Sequence, residues 1–215
     1  MRFLSVITSL ALLAPSTAHA KPPRPIACAA VADTTPASLW TDGISFGDFA
    51  GRMHDRKAEW EKRNGWGTIP DALAVRMRAL SAPLRVLVVA EEACSDSMNS
   101  IPYLVRLVAF APSIQLRVVN STVGRSVMEA HRTPDGRAAT PTFVVLDAND
   151  HVIACWTERP ATLRAWLKTP KDSLPPDQRH NGRLGWYEHD QGASAMAEWV
   201  PMLEDAAAGR ATCDH

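Results

Sequence analysis

Apolar and polar positions along this chain fall into two alternating rhythms. Leu84–Ala90 is a near-continuous apolar run, the pattern of a strand buried on both faces. Ile114–Asn120 is the next strand. Phe143–Leu146 and Val152–Trp156 flank Asp147–His151, whose Asn149-Asp150 suits a tight hairpin turn. Between the runs the period lengthens to that of a helix. Ser97–Ala111 places Ile101, Leu104, Val105 and Val108 on one stripe, Gly124–His131 reads as a short helix, and Pro160–Leu167 as a closing one. Pro102 falls early in the first of these helices, tolerable near a first turn and otherwise a kink. Parallel strands joined by helical crossovers and followed by a hairpin predict an α/β fold, a mixed sheet with helices on both faces.

Helical patterns also lie outside this core. Ser45–Asn64 has Ser45 to cap it and Phe46, Phe49, Met53 and Trp60 near one face, and Gly65-Trp66-Gly67 stops it. Pro70-Asp71 opens another helix through Leu80, with Leu73, Met77 and Leu80 inward. Thr169–Gly185, rich in Pro, Asp, Lys and Gly, reads as a linker. Trp186–Ala208 then returns as a helix that packs Met196, Trp199, Val200 and Leu203 onto the core and bends at Pro201. Lys21–Ser38 holds four prolines and no periodic apolar pattern, the mark of an extended leader. The expected organisation is a signal peptide over 1–20, a leader over 21–43, a domain over 44–168 with its core at 81–168, and a linker and C-terminal helix over 169–215.

The beginning of the chain changes the picture of where it works. Arg2, the apolar Phe3–Ala14 and the small-x-small triplet Ala18-His19-Ala20 have the order of a secretory signal. The apolar stretch falls short of the roughly 20 residues a membrane span needs. The mature protein is therefore expected to begin at Lys21 and to be periplasmic or secreted, without stable membrane insertion after processing. Lys+Arg and Asp+Glu balance at 23 each, and no basic run is interleaved with aromatics, so nucleic acid is not an expected partner. No Gly-rich phosphate loop, Gly-x-Ser-x-Gly elbow or zinc-ligand spacing is present, and no cofactor or metal is expected. Four cysteines in an exported chain allow three full pairings. Cys28 and Cys213, near the two ends, are the expected bridge, with unpaired ends as the alternative.

Chemistry concentrates at Cys94-Ser95-Asp96-Ser97, between the first strand and the helix after it. A thiol there meets unpaired backbone N–H groups and the positive end of the helix dipole, and both favour thiolate over thiol. Ser95 and Ser97 either donate hydrogen bonds to the sulfur or cap the helix. Asp96 suits the dipole but opposes ionisation of a nearby thiol, two effects of opposite sign. Glu91 and Glu92 read as solvated loop charges, His131 as a helix-end cation, and Cys155 as a core residue or a resolving thiol. The other singular feature is Ala139-Thr140-Pro141-Thr142, which opens the run Phe143–Leu146. A proline at a strand start cannot donate to the ladder, and such positions sometimes carry a cis bond.

Strand–Cys–helix, strand–helix and then Thr-Pro–strand resembles the thioredoxin fold over roughly Ser81–Lys168. The resemblance implies a cis Pro141 whose loop lies against Cys94 and docks an extended peptide, with Ala93, Ser95, Asp96, Thr140 and Pro141 as the substrate-binding set and Cys94 and Ser97 at the catalytic positions. Two departures matter: Ala93 replaces the tryptophan common before the cysteine, and Ser97 stands where a Cys-x-x-Cys pair has its second thiol. Cys-x-Asp-small is similar to a thioredoxin-like subfamily with the first cysteine alone. An alcohol forms no disulfide, so a mixed disulfide at Cys94 must be released by glutathione, another cysteine of this chain or a partner's thiol. The expected function is an exported thiol protein that engages cysteine-containing peptides or low-molecular-weight thiols by monothiol exchange. The alternative is a non-catalytic binding or chaperone-like module on the same fold.

Overall fold

Side chains of one central strand alternate between two buried layers, and the rest of the molecule is arranged around that alternation. The computed structural model describes residues 34–54, 56–65, 67–168 and 174–210. The expected signal peptide, residues 21–33 of the expected leader, and both Cys28 and Cys213 lie outside them. Four helices come first: α1 (Pro36–Asp42), α2 (Phe46–Gly51), α3 (Lys57–Asn64) and α4 (Asp71–Arg78). The sheet follows as β1 (Leu84–Val89), α5 (Ser95–Val108), β2 (Ile114–Val119), α6 (Arg125–Ala130), β3 (Thr142–Leu146) and β4 (Val152–Thr157). The chain then continues through α7 (Ala161–Leu167), α8 (Pro176–Asp190) and α9 (Ala193–Ala207).

Strand order is β2-β1-β3-β4. β1 and β2 run parallel, Leu84 opposite Ile114 through Val89 opposite Val119. β3 lies antiparallel to β1, and β4 antiparallel to β3. Val86 and Val88 of β1 join Met98, Ile101, Leu104, Phe143 and Trp199 in the larger core layer. Leu87 and Val89 point the other way, to Leu39, Trp40, Val127, Val144 and Leu146. The period of two in a strand accounts for both layers, and this is why β1 reads as near-continuous apolar sequence. This is the expected α/β fold, a mixed sheet flanked by helices with further helices at both ends.

Three expected segments differ from the structure. Residues 36–42 of the expected leader form α1: Pro36 occupies the first turn, where its missing N–H costs nothing, and Thr35 accepts a hydrogen bond from the Ser38 N–H at 3.2 Å. The helix expected over Ser45–Asn64 is broken into α2 and α3, because the backbone N–H groups of His54 and Arg56 donate to the Glu92 carboxylate. The expected linker Thr169–Gly185 contains the first ten residues of α8. Pro176 begins that helix as Pro36 begins α1, and Gly182 allows the Trp166 ring to lie 3.1 Å from the position a Cβ would take. Glycine there lowers helix propensity by about 1 kcal/mol, and helix-to-helix packing offsets the loss.

Trp199 of α9 lies edge-on to Trp156 and Phe143, with ring centroids 5.2 and 6.0 Å away. Glu198 beside it accepts from Trp156 Nε1 at 2.7 Å and from the Ala161 N–H, at the start of α7, at 2.6 Å. The turn from α8 into α9 depends on Gly192, whose φ is +80° and whose Cβ, if it had one, would lie 2.5 Å from the Tyr103 ring. Gly192→Ala therefore meets both a left-handed backbone and a buried aromatic ring. Overpacking of this kind should cost about 1–3 kcal/mol, read as a lower urea midpoint at unchanged m-value.

Candidate functional site

The end of β1 delivers Cys94 to the first turn of α5. Its backbone is extended (φ −80°, ψ 116°), the geometry of an N-cap, and its carbonyl accepts the first helical hydrogen bond from the Met98 N–H. The sulfur serves as the capping atom: Sγ accepts from the Ser97 N–H at 3.4 Å. It also donates to the Thr140 carbonyl oxygen at 3.2 Å. The next peptide bond, Thr140–Pro141, is cis. The Pro141 carbonyl accepts from the Glu158 N–H, and Thr142 Oγ1 donates back to the Ala139 carbonyl. Two loops 46 residues apart thus meet at one half-buried sulfur.

The loop ahead of Cys94 is tied down rather than solvated. Glu92 Oε1 takes the N–H groups of His54 and Arg56, and its carbonyl accepts from Trp60 Nε1 at 2.9 Å. Arg56 Nη1 donates to the Ala93 carbonyl at 2.9 Å. Glu91 Oε1 accepts from the N–H and hydroxyl of Ser121. These ties correct the expectation of solvated loop charges. Each carboxylate satisfies backbone donors that would otherwise be orphaned in a turn, and the Glu92 bonds are also what interrupt the helix expected over Ser45–Asn64. Ala93 remains exposed beside the sulfur.

Ser97 is fully buried, with its hydroxyl 3.4 Å from the Glu91 N–H that donates to it, so its backbone N–H faces the sulfur while its side chain braces the loop. Asp96 is 4% exposed and both of its oxygens are engaged. Oδ2 accepts from Arg159 Nη2 at 2.7 Å and from Arg183 Nη1 at 3.3 Å; Oδ1 accepts from the Tyr187 hydroxyl at 2.9 Å. Burial, followed by the Asp96 charge, pushes the Tyr187 phenol well above its ordinary range, so it stays a neutral donor. Ser95 Oγ accepts from Arg183 Nη2 at 2.8 Å. Asp96 and Ser95, both in the expected substrate-binding set, tie α8 to the start of α5.

The clamp closes on the proline loop. Arg159 also pairs with Glu158 at 3.0 Å, Glu158 receives two bonds from Arg137, and the Glu158 N–H holds the Pro141 carbonyl. Asp96 and Pro141 are therefore joined through Arg159 and Glu158. Motif spacing could not reveal these partners, because Arg159, Arg183 and Tyr187 come from distant segments, Arg183 from the expected linker and Tyr187 from the helix expected after it. The legible trace is Arg183 and Tyr187 four apart, one face of a helix. Cys94 is a free cysteine. Cys155 lies on β4 opposite Val144 and packs against the second core layer.

Residues 43–173 match the sequence model of a family described as thioredoxin. Two solved structures share the fold. One is a protein of unknown function from Pseudomonas aeruginosa, 19% identical, with 80% of this chain and 99% of that one covered and a TM-score of 0.62. The other is an HIV epitope-scaffold, also 19% identical, covering 80% and 98%, with a TM-score of 0.62. No curated protein matches the chain significantly.

Proposed function

This chain belongs to the thioredoxin family, and from that premise we propose that it is an exported monothiol protein whose Cys94 forms mixed disulfides with cysteine-containing peptides or small thiols. The observation that carries the reading is the free Cys94 sulfur capping α5, 3.2 Å from the carbonyl ahead of Pro141. The exposed Ala93 leaves one side of the sulfur approachable. In the exchange, the Cys94 thiolate attacks one sulfur of a client disulfide. The client S–S bond breaks, a Cys94–client S–S bond forms, and the second client sulfur leaves as a thiolate.

Release needs a second thiolate. In a Cys-x-x-Cys protein it comes from three residues on. Here that position is Ser97, so an external thiol attacks the mixed disulfide and Cys94 departs as thiolate. The Thr140-Pro141 loop aligns the client backbone beside the sulfur, and the signal-like order of Met1–Ala20 supports export to a compartment where client disulfides persist. Ser97→Cys restores the missing partner three residues from Cys94. It should raise dithiothreitol-driven insulin reduction severalfold over the native chain. Equal rates in the two proteins, or robust native reduction that survives loss of the other cysteines, would contradict the monothiol reading. Partners that co-purify identically with and without Cys94 would favour the binding-module alternative.

A further inference from the structure

A cleft of about 590 Å³ opens where α7, α8 and the loop at Pro134–Arg137 converge, outside the Cys94 loop. Its walls carry Arg137, Arg159, Arg164, Lys168, Arg179 and Arg183. Part of that charge is spoken for: Arg159 and Arg183 hold Asp96, and Arg137 holds Glu158 and Asp135. Among the described residues, no carboxylate lies within ion-pair distance of Arg164, Lys168 or Arg179. The Arg164 guanidinium leans on the Arg159 carbonyl, which brings it closer to the other cations rather than to an anion. Like charges gathered in one concavity repel one another, and a low-dielectric wall focuses their field on the space between them.

One further feature of the same cleft favours an anion. Pro176, the first residue of the 15-residue helix α8, lines the cleft, and that helix end carries no side-chain cap. Its positive end therefore adds to the guanidinium field, opposed in part by Asp177 in the first turn. The volume falls within the 300–1,000 Å³ typical of small-molecule sites. Planar guanidinium forks match carboxylate and phosphate oxygens two at a time, and cations spread over three segments fit more than one anionic group.

We propose that this cleft binds a compact polyanion bearing two or more phosphate or carboxylate groups, with Arg164, Lys168 and Arg179 as the unneutralised contacts. Nothing in this depends on the chemistry of Cys94. The floor of the cleft is nonetheless formed by the arginines that hold Asp96, so a bound anion competes for the groups that clamp α8.

Calorimetric titration of the full mature chain with pyrophosphate and, separately, with citrate, at about 0.15 M salt, tests the proposal. Saturable one-to-one binding of at least one probe is expected. Pyrophosphate alone would identify phosphate as the recognised group, citrate alone carboxylate, and both the shared chemistry. Arg179→Gln combined with Lys168→Gln should weaken the bound probe at least tenfold while leaving Tm within a degree or two in its absence. Both side chains line the cleft without an ion-pair partner among the described residues, so folding is not at stake. Absence of saturable binding by either probe, or binding undiminished in the double variant, would overturn it.

Discussion

Cys94→Ser should abolish the reductant-sensitive, high-mass adducts that accumulate around the native chain when cells are quenched in acid. The native sulfur is the capping atom of α5 and sits against the Thr140 carbonyl, where a docked client would present its own sulfur. Once a mixed disulfide forms, Ser97 cannot attack it, so the adduct persists until an external thiol arrives. Adducts should therefore be visible without any engineered trap. Serine at position 94 keeps a hydrogen-bonding cap and so preserves the helix start, which makes loss of adducts a chemical effect. Cys155→Ser should retain them, because Cys155 is packed against the opposite core layer from Met98 and Phe143. Adducts that survive in Cys94→Ser would assign the chemistry to another cysteine.

Asp96→Ala should be the most destabilising single substitution in the clamp. It strips the carboxylate from Arg159 and Arg183, whose side chains are 15% and 17% exposed, and from the buried Tyr187 hydroxyl. Removing one member of a buried ion pair leaves an uncompensated charge and costs about 3–5 kcal/mol. For a domain of this size that is a fall in Tm on the order of 10 °C. Because the lost contacts hold α8, protease sensitivity near Pro176–Arg183 should rise in parallel. Glu129→Ala, which removes the exposed partner of Arg125 and Arg132, should cost under about 1 kcal/mol. A similar small loss for Asp96→Ala would mean that α8 is held by packing alone.

The sheet was legible because burial leaves an unbroken signature in sequence. Val86–Val89 and Phe143–Leu146 are apolar on both faces, so they could not be mistaken for surface strands. The Cys94 and Pro141 loops were legible as a pair through their resemblance to one fold. What surrounds them was not. Pro175-Pro176, Gly182 and Gly185 argued for a linker, yet α8 forms there because its stability is tertiary: Arg183 and Tyr187 reach Asp96, and Gly182 receives Trp166. The same hidden clamp explains why Asp96 read as a site residue. Its position beside Cys94 was visible, while its partners 63 to 91 residues away were not. Helix periodicity ran through Arg52–Arg56 for a related reason, since Glu92 captures those backbone donors from a distant loop.

The most direct test of the account is to add a symmetrical aromatic disulfide to the reduced, folded protein at neutral pH and map the product by peptide mass. The account predicts rapid release of aromatic thiolate and a mixed disulfide on the Cys94 peptide, formed in the native state and cleared by added glutathione. A Cys94 peptide that stays unmodified until the protein is unfolded would contradict it.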